Sequence, residues 1–189
     1  MVGLPFVLSL RKLIHVGGVL FVAVALYNQY IALALAVLAT LLFIAVERQK
    51  LRVIPRGFRH LYRGHELDAI AYEPLAYFLS IVALLALSLA FMPLACYMGI
   101  VVMTVGDGVA AMVGLRLRWP RLPHARKTLS GSLAGFIAAA AVGYLVAGPI
   151  AIAGAAGGMV AEACAGNYDN AITAAAAFTC AVLASLILG

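Results

Sequence analysis

Long apolar runs, broken at only a few short places, set the first limit on this chain. About 20 consecutive apolar residues carry a helix across the hydrocarbon of a bilayer. Candidate runs fall at roughly 13–28, 30–47, 74–92, 94–115, 131–148, 150–165 and 171–188. Of the 189 residues, 66% are hydrophobic and 11% charged, against roughly half and a quarter in a soluble domain. The chain therefore reads as all-α, a polytopic helical bundle of about seven transmembrane helices, with six as the main alternative count, forming one membrane-embedded domain over 1–189. The sixth run, "AIAGAAGGMVAEACAG", is short and made of Ala and Gly. Small residues let helix backbones approach closely, so it is expected at the centre of the bundle. The basic pair at the N-terminus follows ten apolar residues, the reverse of a signal peptide, and no cleaved segment is expected.

The placement of charge sets an orientation. All 13 Lys and Arg residues lie in three places: Arg11 and Lys12; Arg48 to Arg63; and Arg116 to Lys127. The loops near 29, 93 and 149 carry none. That alternation is the positive-inside pattern of a protein whose N-terminus is cytoplasmic. Net charge is +6, and its confinement to membrane edges points to lipid headgroups, not nucleic acid. Tyr72 and Tyr77 read as interface or packing aromatics.

Only seven acids are present. Four belong to the second basic loop or its edges. The other three, Asp107, Glu162 and Asp169, are harder to place. An Asp at a helix centre in hydrocarbon stands roughly 2.5–3.5 kcal/mol uphill, and Asp107 lies roughly 13 Å in from the cytoplasmic end of its run. On the same topology Glu162, Asp169, Asn170 and His15 all fall in the cytoplasmic half of the bilayer. They sit beside the loop "RWPRLPHARKTLSGS".

Acids and bases converging there suggest a divalent cation with phosphates. Carboxylates bind hard cations such as Mg²⁺, with a nucleotide completing the shell. Lys127 and Arg126 suit phosphate. "TLSGS" opens a helix whose N–H groups and dipole favour an anion, with Ser130 as its expected cap and Gly131 allowing close approach. Gly106, Ala110 and Gly114 make a smooth face for another helix. Cys96, Cys164 and Cys180 show no metal spacing and read as small buried residues. There is no GxxxxGK[ST] loop, no protein-kinase signature set and no zinc pattern.

Four stretches, "RKLIHVGG", "GDGVAAMVG", "ARKTLSGSLAGF" and "EACAGNYDN", occur in an order and spacing that resembles the dolichol kinase and phytol kinase family. That family's pattern runs as Arg-Lys-x-x-His, Gly-Asp-x-x-Ala, Lys-[Ser/Thr]-x-Glu-Gly and a late Glu followed by Asp-Asn. The resemblance covers residues 11 to 172. By position it carries over Arg11, Lys12, His15, Asp107, Lys127, Thr128, Gly131, Glu162, Asp169 and Asn170. Ser130 departs, standing where the family has Glu.

The resemblance implies a CTP-dependent kinase acting on an isoprenoid alcohol such as dolichol, a polyprenol, phytol or geranylgeraniol. In that scheme Asp107, Glu162 and Asp169 hold Mg²⁺. Lys127, Arg126, Thr128, Ser130 and Gly131 hold phosphates, with Arg11, Lys12, His15 and Asn170 contributing. Asp169 positions or deprotonates the hydroxyl. The expected partners are CTP, the lipid alcohol and membrane lipids, and a homo-oligomer is compatible with the sequence. The layout also resembles membrane cytidylyltransferases that make CDP-lipids. A transporter is a third class, disfavoured because the acids cluster on one side.

Overall fold

The structure is a computed structural model and describes residues 15–49, 71–117, 127–165 and 169–188. These form α1 (Val19–Tyr27), α2 (Gln29–Arg48), α3 (Tyr72–Ser88) and α4 (Pro93–Val101). A π-helical turn, Val102–Gly106, runs on into α5 (Asp107–Leu117), followed by α6 (Leu129–Ala147), α7 (Ile150–Cys164) and α8 (Asp169–Leu188). Among the described residues, four stretches are long and apolar enough to cross a membrane: Gln29–Arg48, Pro93–Leu117, Leu129–Ala147 and Asn170–Leu188. Tyr72–Ser88 and Ile150–Cys164 are shorter apolar helices. The described residues build a helical protein of membrane type.

Local chemistry makes the tight turns. The Asn28 backbone is extended, and its side-chain oxygen accepts the Ile31 N–H at 3.1 Å, capping α2. Met92 takes φ 36° immediately before Pro93, whose fixed φ suits the first helical position. Gly148, at φ 64° and followed by Pro149, supplies a backbone conformation that side chains disfavour.

The rod Pro93–Leu117 is the centre of the bundle. It is 67% buried, against 17–22% for the other three long helices, and every residue from Ala95 to Gly108 is buried. It is surrounded by α1, α3, α6, α7 and α8, while α2 packs on α1 and α3 at the periphery. The expectation that the sixth run is central is corrected here. Ile152, Ala156 and Val160 of α7 leave one stripe exposed, while Ala151, Gly154, Ala155, Gly158 and Met159 turn inward. Its glycines face both α8 and the central rod, where a Cβ on Gly158 would lie 2.6 Å from Val102 Cγ1. A Cβ on Gly158 would lie 2.8 Å from the Ala177 Cβ, and one on Gly157 would strike the Cys180 sulfur. Close α7–α8 packing is what those small residues provide.

The smooth face of Gly106, Ala110 and Gly114 meets a matching stripe on α6. A Cβ on Gly131 would sit 2.5 Å from the Ala110 carbonyl oxygen, and one on Gly135 would sit 2.5 Å from that of Gly106. The two backbones are therefore in direct contact along two helical turns, which locks the start of α6 against α5.

Candidate active site

The central rod changes register just before Asp107. In the π turn the Asp107 N–H donates to the carbonyls of Val102 and Thr104 and passes over that of Met103. The Met103 carbonyl oxygen instead accepts from His15 Nε2 at 3.0 Å. The same nitrogen lies 3.4 Å from Asp107 Oδ2. One extra residue in the helix therefore exposes a carbonyl and turns a carboxylate toward the same imidazole. Single π turns of this kind recur at functional sites. His15 is half-buried and Asp107 is 4% exposed.

His15 is itself held. The Tyr77 hydroxyl donates to the His15 carbonyl oxygen at 2.6 Å, and the two rings stack at 4.1 Å between centroids. The turn Gly17–Gly18 brings the chain past Tyr77 so closely that a Cβ on Gly18 would strike the tyrosine oxygen. Glycine is required there by space.

A second polar pair joins α6 to α7. Lys127 Nζ lies 2.5 Å from Glu162 Oε1 and donates to the Glu162 carbonyl oxygen at 2.7 Å. Glu162 is 3% exposed, and a buried carboxylate needs a countercharge or donors. The sequence assigned Lys127 to phosphate and Glu162 to metal; the fold pairs them. Immediately after Lys127, Thr128 has extended backbone angles and its Oγ1 accepts the Gly131 N–H at 3.1 Å. The helix cap is thus Thr128, which corrects the expected capping role of Ser130. Ser130 lies inside the first turn with helical backbone, where its hydroxyl donates to Thr128 Oγ1 at 3.4 Å. A cap typically has extended angles and accepts from the second or third N–H of the helix, and Thr128 meets both conditions.

These two pairs lie at the same end of the bundle. A Cβ on Gly114 of α5 would meet Thr128 Oγ1 at 2.8 Å, and Gly106, beside Asp107, faces the sulfur of Met159, one turn before Glu162. On α8, Asn170 lies one turn before Ala174, whose carbonyl oxygen faces Gly99 of the central rod. The pair His15–Asp107 and the group Lys127, Thr128, Gly131 and Glu162 therefore lie at one end of the bundle, with Asn170 at the adjoining end of α8. Arg11, Lys12 and Arg126 lie outside the described residues, as does the side chain of Asp169. Among the described residues no three His, Cys, Asp or Glu side chains group to hold a metal ion. The carboxylates of Asp107 and Glu162 remain hard oxygen donors. Mg²⁺ usually takes one or two such groups and fills its shell with water and phosphate oxygens, so the donor chemistry suits it in that mode and not as a closed protein cage.

The structure also gives polar contacts to features that the sequence assigns to no site. Tyr77 and the π turn are the two at the site. Glu47 is a third, more remote: it is buried, and its Oε1 accepts the Ala71 N–H at 2.9 Å, tying the end of α2 to the start of α3. A hydroxyl on Tyr77 and an acid at the end of a helix are the signals in the chain. Neither says what it faces.

Comparison of the chain with known protein families, curated proteins and solved structures gives no match.

Proposed function

We propose that this protein is a CTP-dependent lipid kinase that phosphorylates the hydroxyl of a long-chain isoprenoid alcohol at the cytoplasmic membrane face. One observation carries the reading. The four motifs that resemble the dolichol kinase and phytol kinase family, far apart in the chain, meet in pairs at one end of the bundle. His15 of the first touches Asp107 of the second. Lys127 of the third touches Glu162 of the fourth. The second and third pack backbone to backbone through Ala110 and Gly131.

The proposal includes seven membrane crossings with the N-terminus inside and the basic segments cytoplasmic, as the positive-inside pattern suggests. Phosphoryl transfer needs mostly positioning and neutralised charge. Asp107 would hold the Mg²⁺ that accompanies the nucleotide, with Glu162 and Asp169 contributing; the ion neutralises charge on the phosphates. Lys127, Arg126 and the N-terminal turn of α6 hold phosphate oxygens, with Arg11, Lys12 and His15 alongside. Asp169 receives the proton of the acceptor hydroxyl, and Asn170 orients it. The alcohol enters sideways from the bilayer, so its chain stays in hydrocarbon while its hydroxyl reaches the polar end.

The test uses purified full-length protein with a panel of lipid alcohols and lipid phosphates, Mg²⁺ and each nucleoside triphosphate. The proposal expects a lipid monophosphate and CDP. Pyrophosphate with a CDP-lipid makes the protein a cytidylyltransferase instead. Nucleotide-independent flux in liposomes, without turnover, makes it a transporter.

A further inference from the structure

We infer that Tyr77 is a positioning residue for Asp107, acting through His15. Three contacts carry the inference. The Tyr77 hydroxyl donates to the His15 carbonyl oxygen at 2.6 Å, which fixes the backbone of the His15–Gly18 turn. The Tyr77 ring stacks on the imidazole at 4.1 Å, which fixes the plane of that ring. The imidazole Nε2 is hydrogen-bonded to the Met103 carbonyl at 3.0 Å and lies 3.4 Å from Asp107 Oδ2. Donation to a carbonyl requires a hydrogen on Nε2, so the ring is held in the form that also presents that hydrogen to the carboxylate.

The remaining links are rigid. Tyr77 is 6% exposed and belongs to the same core cluster as Met103. Gly18 makes room for the hydroxyl where it stands, because a Cβ there would collide with it. The π turn presents the Met103 carbonyl and sets the direction of Asp107. Tyr77, His15 and Asp107 come from three segments, residues 15–18, α3 and the central rod, and lock one another in one geometry. Outer contacts of this kind orient the groups that bind metal or substrate. What Asp107 does at the site rests on the proposed nucleotide reading; how it is held rests on the distances alone.

Tyr77→Phe is the test, because it keeps the stacked ring and removes only the donor. Full-length protein labelled with 15N-histidine is placed in lipid nanodiscs, and a His15→Gln sample assigns the His15 ring among the four histidines. Wild type is expected to show one hydrogen-bonded Nε2–H form, and Tyr77→Phe to lose it to a mixture of forms. In the lipid phosphorylation assay kcat is expected to fall by roughly five- to tenfold with KM for CTP little changed, the signature of a lost contact that positions the reacting groups. An unchanged His15 spectrum in Tyr77→Phe overturns the inference, and so does a changed spectrum with full turnover. If the spectrum changes while wild type phosphorylates no alcohol, the positioning stands and the kinase reading falls. Should Tyr77→Phe not fold, Gly18→Ala displaces the same hydroxyl from the other side and is read by the same spectra, with the same two outcomes.

Discussion

Replacing Lys127 by Met should destabilise the protein through Glu162. The ammonium lies 2.5 Å from Glu162 Oε1 and also binds the Glu162 carbonyl, and Glu162 is only 3% exposed. Without Lys127 that carboxylate stays buried and loses the ammonium beside Oε1. Breaking a buried pair from one side costs about 3–5 kcal/mol. The Lys127 side chain is 22% exposed, so water enters partly and the lower end, about 3 kcal/mol, is expected. At roughly 2–4 °C per kcal/mol for a chain of this length, melting should fall by about 6–12 °C. The assay is thermal unfolding in detergent of wild type, Lys127→Met, Glu162→Gln and the double variant. The double variant should be more stable than Lys127→Met, with a coupling of about 1–3 kcal/mol. If Lys127→Met melts within about 2 °C of wild type, or if the single effects simply add, the pair is not the buried contact described.

Three further outcomes follow from the same geometry. Gly135→Ala should destabilise the α5–α6 contact, because its Cβ would lie 2.5 Å from the Gly106 carbonyl oxygen, whereas Ala134→Gly should cost only about 1 kcal/mol of helix propensity; thermal unfolding compares them. Thr128→Val should lose the cap of α6, about 1 kcal/mol, while Ser130→Ala should cost much less; the reverse order would return the cap to Ser130. Single cysteines placed in Arg48–Arg63 and in Arg116–Lys127, in a cysteine-free background, should both be labelled from the cytoplasmic side, and labelling from opposite sides refutes the orientation.

Much of the bundle was legible because apolar runs and turn residues are local signals. The breaks at Asn28, Met92–Pro93 and Gly148–Pro149 follow from side-chain capping, proline and glycine, and each lies where the uncharged loops were read. The acids stood out for a similar reason, since a carboxylate in an apolar run is costly wherever it points. Three things could not be read in that way. The π turn adds a residue inside the buried run Ala95–Gly108, so the apolar pattern does not change across it. The central place of Pro93–Leu117 is set by its neighbours, and α7 is no less apolar in its own sequence. The pairings of His15 with Asp107 and of Lys127 with Glu162 depend on how each helix is rotated about its axis. A helix that is apolar on all sides encodes that rotation weakly, and the glycine stripes that do encode it set close approach between helices. They do not say which polar groups face each other. Tyr77 was assigned to packing because an aromatic at a membrane edge is common; only its hydroxyl contact with His15 distinguishes it.

The most direct measurement follows the two ends of the nucleotide. Purified wild-type protein and Asp107→Asn receive an isoprenoid alcohol, Mg²⁺ and CTP labelled either on the γ-phosphate or on the α-phosphate, and the lipid is extracted. The account predicts γ-label in the lipid fraction, α-label left in water as CDP, and no transfer by a folded Asp107→Asn variant. The α-label in the lipid, no label in either lipid extract, or full transfer by Asp107→Asn would contradict it.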